Sequence, residues 1–490
     1  MIRFSPNFKL SLGFRDEFTT GWNEAHGRAS TYTFTNGVIS TQPNIGNSTF
    51  TTNNGKFLPQ PRVGLAWSPF RNRSKTVIRA GFGMYNDLQD ALGYRTDQNA
   101  PFNPTYSLPT LPVSQLPVSP SAPVPATAKL VPGGVQPNLY TPTLISYSLR
   151  IDQQLTANTR FTIGYVGSHG YHEILGIDAN EPFPVICPAS PCLAVYPSTF
   201  PAGIAGTPVP AGTYYVPTAT KPNAAIANTW TYFSEANSSY NALQLDVNHR
   251  FSSGLSLRGV YTWSKTLDDG DSVNATTSGN EPALASNPFN LKSDWGLANF
   301  DVRNVGVISA TYALPFGHGK PYFSSATGFG QWLASGWTLN SIVTLQGGFP
   351  FTPQLSYNPS NTGDTRNPVR PFVNPAFTGP VILGGPNQWF NPAAFLAPPN
   401  ASGFYGNLGR DTLIGPGVAT WDLSVMKDTR IGERTTLQFR AEFFNVLNHP
   451  NFSAPNAVTF TPTGVSPTAG LITSTSTTSR QIQLGLKLLF

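Results

Sequence analysis

The sequence predicts an all-β chain built as a transmembrane antiparallel β-barrel with long extracellular loops and short periplasmic turns. Three observations predict it: a composition unlike that of a soluble protein, strands with a period of two, and connections that alternate between long and short. Only 11% of the 490 residues are charged, against about 25% in soluble domains. Hydrophobic residues reach only 39%, yet aromatics make up 12%, with 33 Phe and 18 Tyr beside 45 Gly and 46 Pro. A disordered chain would lack those aromatics. A soluble chain of this length would split into about three domains, with more charge on its surface. No stretch approaches the roughly 20 apolar residues of a membrane-spanning helix.

Along the chain, apolar and polar residues alternate in segments near 7–18, 60–68, 75–85, 143–155, 159–168, 239–251, 255–265, 300–314, 333–347, 418–430, 434–446 and 479–490. In the first long example, Ile145, Tyr147, Leu149 and Ile151 oppose Ser146, Ser148, Arg150 and Asp152. Leu243, Leu245 and Val247 then oppose Gln244, Asp246 and Asn248, with Phe251 and Arg250 closing the two faces. Leu255, Leu257, Tyr261 and Trp263 oppose Ser256, Arg258, Thr262 and Ser264. Leu437, Phe439, Ala441 and Phe443 oppose Gln438, Arg440 and Glu442, and the last segment sets Ile482, Leu484, Leu486, Leu488 and Phe490 against Gln481, Gln483, Gly485 and Lys487. Strict alternation is the mark of strands whose two faces meet different surroundings, and most segments reach the roughly 9–11 residues of a tilted membrane strand.

The connections separate a barrel from a soluble sheet. Those at 69–74, 156–158, 252–254 and 431–433 are short, and 315–332 is a longer member of the same class. Those at 19–59, 86–142, 169–238, 266–299, 348–417 and 447–478 are long. Compact soluble domains rarely tolerate one structureless loop above about 15 residues. Short turns at one rim and long loops at the other are the rule for outer-membrane barrels. Hydrocarbon leaves no partner for a free backbone group, so the strands must pair with one another. The face carrying Arg150, Asp152, Asp246, Arg250, Arg258, Arg440 and Glu442 is then a wet lumen wall, where charge is solvated or paired.

Candidate special residues follow from position. Tyr85, Trp263, Trp337 and Trp421 lie near strand ends, where an aromatic girdle would sit. Cys187 and Cys192, in CPASPC, suit a disulfide in an oxidising compartment. His169, His172 and Glu173 lack a third ligand at a metal-site spacing and read as a solvated loop. Asp268, Asp269 and Asp271 do not have the spacing of an EF-hand loop and read as a solvated turn. Gly81, Phe82 and Gly83 fall within a strand, so they form no phosphate cradle. With no nucleophile elbow or nucleotide motif either, no catalytic residue, metal or cofactor is expected, and the chain is not expected to be an enzyme. The net charge of +6 is scattered singly, so no nucleic-acid partner is expected. Tyr214, Tyr215, Trp230, Tyr232, Phe233, Trp389, Phe390, Phe395, Phe404 and Tyr405 enrich two loops, either as contact residues for a ligand or as loop-on-loop packing.

Several segments resemble one family. WDLSVMKDTRI (421–431), TTLQFRAEFFNVLNHPNF (435–452), the ending RQIQLGLKLLF, NALQLDVNHRFSSGLSLRGVYTWSKTLDD (241–269), DVRNVGVISATYALPFG (301–317) and FYGNLGRDTLIGPG (404–417) are similar to Oar-like TonB-dependent receptors. The resemblance implies a barrel of about 22 strands around an N-terminal plug, placed in the outer membrane of a Gram-negative bacterium and importing a large or scarce nutrient with energy passed on by TonB. Residues 1–490 would be the C-terminal portion of that barrel, about half of its strands, because no signal peptide or plug is recognisable in the sequence. The TonB complex would act only through the missing plug. The other partners implied are outer-membrane lipid, an unidentified nutrient and the barrel-assembly machinery, reading Ile482, Leu484, Leu486, Leu488 and Phe490 as a C-terminal signal. An autonomous porin or adhesin-like barrel, and a secreted β-rich carbohydrate-binding protein, are the alternative readings.

Overall fold

The computed structural model describes residues 2–70, 75–88, 99–108, 124–188, 195–270, 284–364 and 369–490. Its main sheet follows the chain strand by strand: β1 (Ile2–Ser5), β2 (Phe8–Glu17), β3 (Leu58–Trp67), β4 (Thr76–Asn86), β5 (Thr143–Thr156), β6 (Thr159–Ile177) and β7 (Trp230–Arg250). It continues through β8 (Leu255–Asp268), β9 (Asn304–Ala313), β10 (Trp337–Gln346), β11 (Val418–Arg430), β12 (Thr436–Phe444) and β13 (Gln481–Leu489). All twelve neighbour pairings along this path are antiparallel. No described helix is long and apolar enough to cross a membrane.

Register turns the period of two into continuous rows. Phe161, Val247, Gly259 and Ile308 lie side by side across β6 to β9, and Val425, Ala441 and Leu484 do so across β11 to β13. These belong to the apolar face. Asp152, Thr162, Asp246 and Val260 run across β5 to β8 on the other face. The apolar rows are left bare: Leu12, Phe14, Tyr165, Val247, Ile308, Leu484 and Leu486 are all exposed. A bare apolar surface around a whole sheet is untenable in water and is the natural state of a wall in lipid.

The expected pattern of about twelve strands is close to the thirteen observed. The additional one is β1, whose four residues are too few to display a period. The largest departure concerns β6 and β7, of 19 and 21 residues, which shorten the expected 169–238 loop to 178–229. Their pairing shifts register between Gly170 and Leu175, and His172 has a positive φ of 56°. That bulge breaks the alternation on which the sequence reading depends.

The buried apolar clusters among the described residues lie at the loop rim, in the loops and in the upper ends of β6 and β7. One joins Phe351, Leu355, Phe390 and Phe395 to Ala457 and Phe460, bringing together the β10–β11 and β12–β13 loops. Another packs Tyr196, Phe200 and Val209 of the β6–β7 loop on Phe372 and Phe404. Smaller ones unite the β2–β3, β4–β5 and β6–β7 loops around Tyr32, Ile39 and Ile226, and Val135 with Tyr232. The long loops thus form one interlocked layer over one rim of the sheet.

Candidate functional site in the loop layer and lumen wall

The loop layer is pinned by two arginines that come late in the chain. Arg370 is buried, donating to Asp294 at 2.8 Å, to the Ser286 hydroxyl at 2.9 Å and to the Ser293 carbonyl at 3.2 Å. Arg410, within the FYGNLGRD stretch, donates to the Asp294 carbonyl at 2.6 Å and to both the carboxylate and the backbone carbonyl of Asp268. The fixed fork of a guanidinium suits such multiple acceptors. Together they lock the β10–β11 loop onto the β8–β9 loop. Asp268 and Asp269 are therefore not the solvated turn expected of them. Both are buried, and Asp269 accepts from the Asn237 backbone at 2.6 Å. Burial pushes the Asp269 carboxyl up from its ordinary value, against the opposing pull of its bonds to Asn237 and of the Arg410 charge. Asp271 lies outside the described residues.

The aromatics flagged in the loops divide. Tyr232, Phe390, Phe395 and Phe404 are buried in the clusters, so loop-on-loop packing accounts for them. Tyr214, Tyr215, Trp230, Phe233, Trp389 and Tyr405 are half-buried, and burial pushes the Tyr405 hydroxyl far up. A cavity of about 350 Å³ opens between four loops, lined by Phe34, Phe233, Phe289, Gln136, Asn138 and Glu235 among others. Apolar walls with a few polar groups at this size are typical of ligand sites.

His169, His172 and Glu173 lie in β6, not in the solvated loop expected of them, because β6 runs on through the bulge to Ile177. His169 Nδ1 lies 2.9 Å from the Ser238 carbonyl, Glu173 accepts from the Ser238 hydroxyl at 2.8 Å, and His172 stacks on Tyr140. The one group of three or more acidic, histidine or cysteine side chains among the described residues close enough to share an ion is Asp178, Glu181 and Asp364, with ligand atoms within 4.8 Å. It was not legible in the sequence, because Asp364 comes from a different loop. Lys221 holds Asp178 at 3.1 Å. Cys187 is buried beside Tyr196, Phe200 and Val209; its expected partner, Cys192, lies outside the described residues.

Below the loops, the polar face carries ordered charge. Asp152 is buried and receives Arg160 at 2.7 Å, Thr162 at 2.8 Å, Arg150 at 3.0 Å and also Arg79. Arg258 pairs with Asp246 at 2.8 Å. These line a cavity of about 750 Å³ with Lys75 and Arg250. Arg440 continues the polar face on β12 by donating to Gln438 at 2.6 Å. The sequence reading found most of this set but not Lys75, Arg79 or Arg160.

Of the four strand-end aromatics, register puts Trp263, Trp337 and Trp421 on the apolar face, in rows with Leu243, Lys427 and Val343 respectively. Tyr85 is on the polar face beside Leu144, its ring 4.6 Å from the Arg62 guanidinium. It therefore leaves the expected girdle, because its place in the period of two outweighs its place near a strand end. Ile482, Leu484, Leu486 and Leu488 form one exposed row on β13, and Phe490 follows it, almost fully exposed.

Among solved structures, the chain is similar to the outer membrane transporter YddB from Escherichia coli, at 11% identity and a TM-score of 0.42, with 89% of this chain and 41% of that chain covered. It is similar to a mutant ferric enterobactin receptor, PfeA, from Pseudomonas aeruginosa at 11% identity and a TM-score of 0.40, covering 89% and 41%. It is also similar to the FrpB iron transporter from Neisseria meningitidis at 9% identity and a TM-score of 0.38, covering 89% and 40%. The chain thus spans less than half the length of these structures. No curated protein matches it. The family model described as "Outer membrane beta barrel domain" matches residues 1–483. With bare apolar rows, a charged inner face and loops massed at one rim, the chain belongs to the outer membrane β-barrel domain family and resides in the outer membrane of a Gram-negative bacterium.

Proposed function

We propose that this chain supplies the wall and the ligand-contacting loops of a TonB-energised receptor of the Oar-like kind, importing a large or scarce nutrient. The observation that carries the reading is the interlocked loop layer standing over a charged lumen wall. Two buried arginines and several shared apolar clusters hold the loops as one body, which suits recognition at the outer rim. The cavity lined by Phe34, Phe233, Phe289 and Glu235 is the proposed point of ligand contact. Binding and passage, not catalysis, are the chemistry proposed. TonB would act through the receptor's plug, and the barrel-assembly machinery would read the row ending at Phe490.

The test is growth of the source bacterium with the gene disrupted, scanned across media each limiting for one nutrient. A growth defect restored by the intact gene only in cells with working TonB supports the reading. Restoration that is equally good without TonB removes the energised step and leaves a passive pore. In the same assay, Phe233→Ala with Phe289→Ala is expected to raise the nutrient concentration needed for half-maximal growth by about tenfold, equivalent to about 1.4 kcal/mol of lost contact.

A further inference from the structure

The connection between β9 and β10, residues 314–336, is the longest at the turn rim and contains the α-helix α1 (Gly328–Ala334). Its place relative to the wall is settled by Lys427. On β11, Lys427 lies in register with Trp337 on one side and Phe439 on the other, and Phe439 in turn faces Leu486. That row is the lipid-facing one, and Leu486 in it is 70% exposed. An ammonium there would meet the edge of the hydrocarbon, at a cost of several kcal/mol at depth and less near the interface. Instead Lys427 is buried. Its Nζ donates to the Trp332 carbonyl at 2.7 Å, the Ser335 carbonyl at 3.0 Å and the Thr429 hydroxyl at 3.2 Å. It also lies 5.1 Å and 5.5 Å from the Trp332 and Trp337 ring centres.

The carbonyls at the end of a helix carry partial negative charge and need partners. Lys427 therefore binds the C-terminal end of α1 to the wall, and Trp337 Nε1 adds a bond to the Leu333 carbonyl at 2.8 Å. Gly336 makes the close approach possible: its φ is 82°, and a Cβ there would collide with the Asp428 carbonyl. The helix is thus clamped against the lipid side of the barrel, at the level of the strand ends.

What α1 turns away from the wall is apolar. Phe329 is 75% exposed and stacks on Trp332, and Leu333 is 53% exposed. Tyr322 and Phe323, exposed as well, pack edge-on against Phe316. Residues 321–335 contain no Asp, Glu, Lys or Arg. Aromatic side chains without charge, continuous with a lipid-facing wall and level with its rim, match the boundary between headgroups and acyl chains. We propose that residues 315–336 form a membrane-interface anchor, with Tyr322, Phe323, Phe329, Trp332 and Leu333 seated in the phospholipid headgroup boundary of the periplasmic leaflet. This inference rests on the barrel's place in the membrane and is independent of any transport role.

Photo-crosslinking in outer membranes isolated from cells expressing the chain tests it. p-Benzoylphenylalanine is placed at Phe329, separately at Trp332, and at Asn158 in the short β5–β6 turn as a water-facing control. After irradiation, mass spectrometry reads the adducts on the folded, membrane-inserted protein. Phospholipid adducts at Phe329 and Trp332, several-fold above those at Asn158, support the anchor. Adducts to a second copy of the chain or to another protein as the main product overturn it, as does a lipid yield no higher than at Asn158.

Discussion

At the scale of single residues, the buried charges of the loop layer are the most sensitive points. Arg410→Met takes the guanidinium from beside the buried Asp268 carboxylate, a change that costs about 3–5 kcal/mol when a buried pair loses one member. Opening of the β10–β11 loop should then appear as faster backbone hydrogen exchange around residues 404–414, and a second change, Asp268→Asn, should restore most of the protection. Unchanged exchange in the single variant would show that the clamp is dispensable. Tyr357 offers a pH test. Its hydroxyl is buried, donates to the Pro398 carbonyl at 2.5 Å, and burial pushes it from 10.0 up to about 12. The folded state favours the neutral phenol, so its stabilising contribution is complete below pH 10 and is lost as pH rises through 10 toward 12. Absorbance at 295 nm, compared between the protein and Tyr357→Phe, should assign to Tyr357 a titration well above that of the exposed tyrosines; a midpoint near 10 would refute the burial argument. Neither residue stood out in the sequence, because Arg410 and Tyr357 acquire their roles from partners 142 and 41 positions away.

At the scale of elements, the sheet was legible because lipid and lumen impose opposite demands on successive side chains. Strands β2 to β5 and β8 to β13 appear within a few residues of where alternation places them. Reading failed where the period did: β1 is too short, and the bulge at His172 hid the upper parts of β6 and β7. The candidate loop site was legible in composition but not in arrangement, since a run of aromatics does not say whether Phe404 meets a ligand or, as observed, Tyr196 and Phe200. The two faces of β7 give a direct check on orientation. Leu245 lies in a lipid-facing row and Gln244 in the lumen row. Leu245→Arg should cost about 2–4 kcal/mol in folding into lipid vesicles, whereas Gln244→Arg should be nearly neutral. Urea titrations followed by gel mobility would measure both, and equal costs would mean that the faces are misassigned.

At the scale of the whole molecule, long loops at one rim and short turns at the other fix an orientation in the membrane. Protease added to intact cells should cut within 178–229 or other long loops and leave the 431–435 turn whole until the outer membrane is broken. Cleavage at that turn in intact cells would invert the topology. The loop clusters carry a different consequence, one of timing. Phe372 can meet Tyr196 only after the strands between them stand side by side, and Phe460 meets Phe351 only when β11 and β12 are in place. Contacts of such long range form late, because the entropy of closing the intervening chain must be met first. The wall must therefore assemble while its loops are still open polymer. The lid over the lumen closes last, on the far side of the membrane from where the turns remain.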